Sequence, residues 1–379
     1  MRQTNRSESS VRERARSLLE RYAETLIASP ETSAGSIDMV VNLLEKCLAL
    51  EDDATYVRLL ERFAVRLQRE YNLAHVEAFL GRVLDHAGLT SEQAVAFADL
   101  RVRILIQLGE EALAHQTLDR VWPLACTPAL RARVLNRRAY LYGIYSHYEE
   151  AERDYRAGLE VAQAGGDPYI LAVLHSNYGD TLHQQGKYEA ALEQYRQALA
   201  VARPHKLAFP CALAEGGLGM TLDQLQRYEE ARQHHLAALA YYEEAGDMFG
   251  RIRIHLNLSY NALCRGDYER VKELAGQALA WARELEDLHR LAFAHQRLGE
   301  VFERTGEYDV ACEHYLQALE LRRQVGKPAF IRHTERSIRT LLETVRNGAA
   351  VAADVRARIE RDCRRALEAS PADTTMPPA

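Results

Sequence analysis

The chain has 379 residues, 47% hydrophobic and 27% charged, a composition that folds and that excludes an intrinsically disordered chain. Its net charge of −6 supplies no global basic field for nucleic acid or an anionic membrane, so neither partner is expected. No run approaches the roughly 18 apolar residues of a membrane span, and the opening MRQTNRSESS contains no apolar signal core; a soluble cytoplasmic protein is expected.

From the N-terminus, segments 9–29 and 36–50 carry helical periodicity, so 1–52 reads as an N-terminal helical segment. Residues 53–87 are helical in pattern and 91–125 form a hairpin broken at Gly109, which makes 53–127 a stretch of degenerate hairpins. From 128 to 326 the pattern becomes regular. Tyr148, Tyr188, Tyr228, Tyr268 and Tyr308 stand 40 positions apart. Nine residues before each comes a small residue: Ala139, Gly179, Gly219, Ser259 and Gly299. Two before each are Ser146, Gly186, Gln226, Gly266 and Gly306, and seven after are Tyr155, Tyr195, His235, Ala275 and Tyr315. LHSNYGDTLHQQGKYEAALEQYRQALAVA shows the unit: a helical pattern, a break at Gly186, then a second helical pattern. It predicts an antiparallel hairpin in which Gly179 lets the two backbones approach, because a glycine inside a helix costs about 1 kcal/mol against alanine and needs a compensating contact. One hairpin cannot bury its apolar face alone, so neighbours must stack. Residues 327–369 read as a polar, Arg-rich capping hairpin, and 370–379, ending in PADTTMPPA, as a disordered tail.

This order of small residue, Gly-x-Tyr, Ala and Tyr resembles the tetratricopeptide repeat family, most closely over 172–203 and 292–323, in a variant longer than that family's usual period of about 34 residues. The resemblance implies an all-α fold, a right-handed α-solenoid of antiparallel helix hairpins. Similar forty-residue variants belong to polarity-complex adaptors, bacterial peptide-pheromone receptors and the regulatory arms of signal-transducing ATPases. What it implies for function is a scaffold or adaptor that takes a protein or peptide in its concave groove. The alternative is a peptide-responsive regulator, or a standalone sensor arm, with the first 127 residues as an output or dimerisation part and a homodimer as one assembly.

In that family, alternate residues of each first helix face the groove. Here these are Tyr140, Asp180, Met220, Tyr260 and Glu300, with Gln184, Gln224 and Arg304 one turn on and Asp223 beside them. Asp180 and Glu300 stand where chaperone-binding members carry Asn and Lys or Arg, and the acidic and amide character near 180–224 suits a helical or basic ligand segment. Asn136, Asn177 and Asn257 are candidates for bonding a ligand backbone or a neighbouring hairpin, the latter being favoured.

No P-loop, H-E-x-x-H or G-x-S-x-G motif occurs, and no enzyme, cofactor or metal site is expected. Gly216-Gly217-Leu218-Gly219 lacks the preceding strand of a phosphate loop and reads as close packing. His234-His235 lacks further metal ligands. The six cysteines, Cys47, Cys126, Cys211, Cys264, Cys312 and Cys363, form no C-x-x-C pair and read as buried free thiols. Arg332, Arg336 and Arg339 share one helical face, expected to be a solvated cap surface.

Overall fold

Apolar and small residues recurring every three or four positions make helices, and the breaks between them fall where the backbone turns left-handed. A computed structural model describes residues 13–25, 37–50, 53–70, 72–85, 88–285, 287–325, 328–347 and 351–368, and every regular element among them is helical. The tail 370–379 and the first residues of the N-terminal segment lie outside the described residues. Among the described residues no helix is long and apolar enough to cross a membrane. The chain divides into two compact units, Met1–Gly165 and Gly166–Ala379.

The first unit runs α1 (13–25), α2 (Ile37–Leu50), α3 (Asp53–Glu70), α4 (Leu73–Leu84), α5 (Ser91–Leu108), α6 (Glu111–Val121), α7 (Pro128–Ile144) and α8 (Tyr148–Gly165). Helix α5 opens on a capping box between Thr90 and Gln93 and stops at Gly109, whose φ is 79°. Helix α7 starts from Thr127, whose side chain accepts from the Leu130 amide, with Pro128 in the first turn. Tyr56, Phe63, Leu80, Ile104 and Leu105 are fully buried among these helices. Two ion pairs tie neighbouring helices, Arg101 to Glu77 at 2.6 Å and Arg138 to Asp154 at 2.5 Å.

The second unit stacks hairpins in chain order: α9 (Pro168–Gln184) with α10 (Tyr188–Ala202), α11 (Ala208–Gln224) with α12 (Tyr228–Glu244), and α13 (Met248–Cys264) with α14 (Tyr268–Glu284). Then follow α15 (Leu288–Thr305) with α16 (Tyr308–Val325), and α17 (Pro328–Arg346) with α18 (Ala353–Glu368). Asp167, Asp247 and Asp287 cap the N-termini of α9, α13 and α15, each accepting backbone N–H bonds with its carboxylate.

The repeat's small position is explained by an aromatic ring. A Cβ added to Gly179 would lie 2.7 Å from Cε1 of Tyr195, and one on Gly299 2.6 Å from Cδ1 of Tyr315. No real Cβ fits at that distance, so the first helix is smooth where the second helix lays its ring. In α13 and α14 the pair is exchanged together: the ring becomes Ala275, fully buried, and the small residue is Ser259. Tyr195 also touches the next hairpin, where a Cβ on Gly217 would come within 2.2 Å of it. The glycines of 216–219 are therefore a packing surface.

The turn within each hairpin closes in one way. Lys187 N–H reaches Leu182 O and Gly186 N–H reaches His183 O, both at 2.9 Å; the Arg227 and Asp267 amides repeat the first bond onto Leu222 and Ala262. The residue at the bend is left-handed whatever its type: φ is 74° at Gly186 and 76° at Gly266, but also 58° at Gln226 and 66° at Ser146. A side chain there is strained by about 1–2 kcal/mol. Gln226→Gly is therefore expected to raise stability by up to about 1 kcal/mol, and Gly186→Ala to lower it by about 1–2 kcal/mol. Urea-unfolding midpoints check both; a shift of the reverse sign in either variant, or no shift, would contradict the turn geometry.

Candidate functional site

The inner positions of the first helices are organised from behind by the second helices. Three core rings of the second unit carry a polar tip that reaches an acid on the first helix of their own hairpin. Tyr195 donates its hydroxyl to Asp180 Oδ1 at 2.7 Å, and Tyr315 donates to Glu303 Oε2 at 2.7 Å. His235 Nε2 lies 2.9 Å from Asp223 Oδ2. Asp223 has its second oxygen filled as well, by Asn261 Nδ2 of the next hairpin at 2.6 Å, and Asn261 also donates to Tyr228 O at 2.8 Å. With both oxygens engaged and only 3% of its surface exposed, Asp223 holds adjacent hairpins together. Thr221, one period before Asn261, meets His183 Nδ1 at 2.9 Å and so links its own hairpin to the preceding one.

Toward the end of the second unit these first helices border a cleft of about 720 Å³. Tyr260, Leu263 and Cys264 of α13 form one side, Arg297, Glu300, Glu303 and Arg304 of α15 the floor, and His333, Arg336, Ser337 and Thr340 of α17 the other side; Tyr228 and Tyr315 complete it. The Arg297 guanidinium lies 4.8 Å from the centre of the Tyr260 ring and pairs with Glu300, so it fixes both side chains. Gln296 donates to Glu300 at 3.0 Å and to Ser337 at 3.0 Å, and accepts from Thr334 at 3.0 Å, which ties α15 to α17 beneath the cleft.

The electrostatics of neighbouring acids diverge. Burial alone would raise the Glu300 pKa, but the Arg297 charge, with bonds from His333 and Gln296, brings it below the usual carboxylate value. Burial raises that of Glu303, the Tyr315 bond and the Arg304 charge oppose this, and the nearby Glu300 charge adds to it. Asp180 is raised by burial too, against the bond from Tyr195 and the charge of Arg253. Arg304 and Arg336, both exposed, have no ion pair within the described residues, which leaves two guanidiniums facing the cleft.

Of the groove positions expected from the sequence, the structure brings Tyr260, Glu300 and Arg304 into this cleft. Gln224 is exposed at the end of α11, on the preceding hairpin. Asp180 and Met220 are half-buried and Gln184 exposed, all on earlier hairpins of the same unit. Tyr140 belongs to the first unit, half-buried, with the Arg137 guanidinium 5.4 Å from its ring centre. Among the amides, Asn136 is buried and Asn177 half-buried, and both are engaged; Asn257 is half-buried, and its side-chain amide bonds no other described residue. His234 bonds Glu215, which also holds Arg203. Among the described residues no group of three or more His, Cys, Asp or Glu is placed to hold a metal ion.

Arg297 was not singled out from the sequence, although it occupies the register of Asn177 and Asn257, two before the small residue, and Ser337 follows it by one period. Asn261 and Thr221, two after the small residue, also went unmarked. Extending the register in both directions by two positions would have found all four.

A tetratricopeptide repeat model matches residues 130–203 and a second matches 294–329. Comparison with curated proteins gives no match. Among solved structures, a Rap protein complexed with competence and sporulation factor superposes with a TM-score of 0.59 at 16% identity, covering 94% of this chain and 98% of that one. BtubC (BKLC) from P. vanneervenii is 22% identical over 63% of this chain and 94% of its own, with a TM-score of 0.47. A signal transduction ATPase with numerous domains, carrying a tetratricopeptide repeat sensor, from Pyrococcus horikoshii is 14% identical, with a TM-score of 0.49; the match covers 84% of this chain and 51% of that one. At such identities the likeness is one of fold.

The raised Asp180 carboxyl has a stability consequence. Because its folded pKa exceeds its unfolded one, the native state holds the proton more tightly, and stability falls as pH rises from about 4, the ordinary carboxyl value. Asp180→Asn keeps an acceptor for Tyr195 and removes the buried charge. It is expected to raise the thermal midpoint at pH 7 and to flatten the pH dependence above pH 4, whereas Asp180→Ala, which strands the Tyr195 hydroxyl, is expected to lower the midpoint. An Asn variant less stable than wild type at pH 7 would contradict the assignment.

Proposed function

Since the chain is a tetratricopeptide repeat protein, we propose that it binds a peptide or a segment of another protein in the cleft of its second unit, and that this segment carries acidic and aromatic side chains. One observation carries the reading: Arg304 and Arg336 stand in the same cleft as the Tyr228 and Tyr260 rings, with no ion pair to either guanidinium among the described residues. The acids that suggested a basic ligand near 180–224 have partners of their own, Asp180 with Tyr195 and Asp223 with His235 and Asn261. The charge available to a ligand in the cleft is thus cationic, and guanidinium forks recognise carboxylates with two parallel bonds. The rings offer faces for aromatic or aliphatic groups of the ligand.

In this reading Tyr260, Glu300 and Arg304 contact the ligand directly. Asp180, Gln184, Met220 and Gln224 extend the contact surface along the earlier hairpins. Asn257, with its amide uncommitted among the described residues, bonds the ligand backbone. Tyr140 acts as a separate contact in the first unit.

A second reading, that ligand entry is a regulatory signal, draws support from the Rap protein, which shares the fold over nearly its full length and was solved in complex with competence and sporulation factor. A passive scaffold changes little on binding, whereas a signal receptor shifts between conformations.

Selection from a random peptide library tests the proposal, with the wild-type chain and an Arg304→Glu/Arg336→Glu variant compared at equal helicity. Enriched peptides are expected to carry Asp or Glu beside an aromatic residue, to bind more weakly as salt rises, and to lose at least about tenfold in affinity on the variant, about 1.4 kcal/mol. Peptides that bind both proteins equally would overturn the placement of the site. X-ray scattering with a saturating selected peptide then separates the readings, compaction favouring the regulator and an unchanged profile the scaffold.

A further inference from the structure

We propose that Cys312 and Cys363 form a redox modification site, closing to a disulfide that staples α18 to α16 when the chain meets a small-molecule disulfide such as oxidised glutathione. The two residues are 51 positions apart in sequence, yet their sulfurs lie 3.2 Å from each other. Both are buried and unoxidised here. They sit in the core of the last hairpin, with Ile338, Leu341, Leu342 and Val345 of α17 and Ile359 of α18 around them.

The chemistry follows from the pair's proximity. The two sulfurs share a hydrogen bond in which either can donate, and a thiol that donates to its neighbour favours that neighbour's thiolate. Cys312, once deprotonated, attacks. Its sulfur bonds to one sulfur of the small disulfide, the disulfide bond breaks, and one glutathione thiolate leaves and takes up a proton. Cys363 then loses its proton and attacks the Cys312 sulfur, and the second glutathione leaves as thiolate and is protonated. In sum, two protein thiols are oxidised to one disulfide and one glutathione disulfide is reduced to two thiols.

The staple bears on the cleft, though it does not depend on what the cleft binds. Helix α17 supplies Ile338, Leu341 and Leu342 to the core that holds both cysteines and presents His333, Arg336, Ser337 and Thr340 to the cleft from its other side. Helix α18 closes that core from the end, with its main contacts to α16 and α17. An element held mainly by two neighbours opens locally at low cost, and such opening of α18 admits the oxidant to Cys312. Once tied to α16, α18 holds the α17 wall in place.

The test uses the full-length native chain incubated with oxidised glutathione, alkylated, digested without reduction and mapped by mass spectrometry. The exposed Cys126 reports that the oxidant is active by taking up glutathione. The expected product is a peptide pair joined through Cys312 and Cys363, lighter by two hydrogens and separated by dithiothreitol. Oxidation should also raise the thermal midpoint and slow amide exchange in α18, and Cys363→Ser should leave Cys312 as a glutathione adduct. Recovery of Cys312 and Cys363 as free alkylated thiols while Cys126 is modified would overturn the proposal. So would separate adducts on each in the wild-type chain, or linkage to another cysteine instead.

Discussion

The contact on which the second unit depends is that of an aromatic ring lying directly on a helix backbone. Tyr195 lies against Gly179 in its own hairpin and Gly217 in the next, with no room for a Cβ at either. A single side chain thus sets the spacing within one hairpin and between two. Close approach compensates the roughly 1 kcal/mol that a helical glycine costs, because the large ring buries its whole face against backbone instead of water. Tyr315 repeats the contact on Gly299, and His235 on Gly219. Within the second unit, where the ring is missing, at Ala275, the glycine is replaced as well, by Ser259; the first unit keeps a buried ring, Tyr155, with Ala139 at the small position.

The same rings connect the core to the acids of the first helices. Their polar tips emerge beside the first helix and meet Asp180, Asp223 and Glu303, which orders these acids without spending a surface cation on them. Burial lifts the carboxyls of Asp180 and Glu303, a cost the fold carries at positions close to where a ligand would lie. Natural proteins tolerate such costs chiefly at functional positions. With these acids answered from inside, the charges left open in the cleft are those of Arg304 and Arg336, and that balance decides the class of ligand proposed.

The fold was legible because its signal is repeated. A period of 40 with a small residue, a bend and a tyrosine in fixed order identifies hairpins and where they turn; Gln226 and Ser146 adopt the left-handed bend at the register where glycine stands elsewhere, which shows position overriding residue type. The lining of the cleft was legible only in part. Tyr260, Glu300 and Arg304 follow from register, but whether an acid such as Asp223 stands open or bonds a neighbouring hairpin depends on Asn261, a residue 38 positions away. The Cys312–Cys363 approach depends on how the final hairpin folds back on α16 and leaves no trace in sequence spacing. Arg336 read as a solvated cap residue and is exposed; that it also lines the cleft with Tyr260 comes from the packing of α17 on α15.

A double-mutant cycle on Gly179 and Tyr195 tests the central contact most directly, with urea unfolding of wild type, Gly179→Ala, Tyr195→Ala and the double variant. Overpacking should cost Gly179→Ala about 1–3 kcal/mol, and the lost ring should cost Tyr195→Ala about 3–5 kcal/mol. If the ring is the reason for the glycine, the double variant loses less than the sum by about 1 kcal/mol or more, as the Ser259 and Ala275 hairpin already implies. Strictly additive losses would mean that the glycine and the ring serve separate ends, and the account of how the hairpins are spaced would fail.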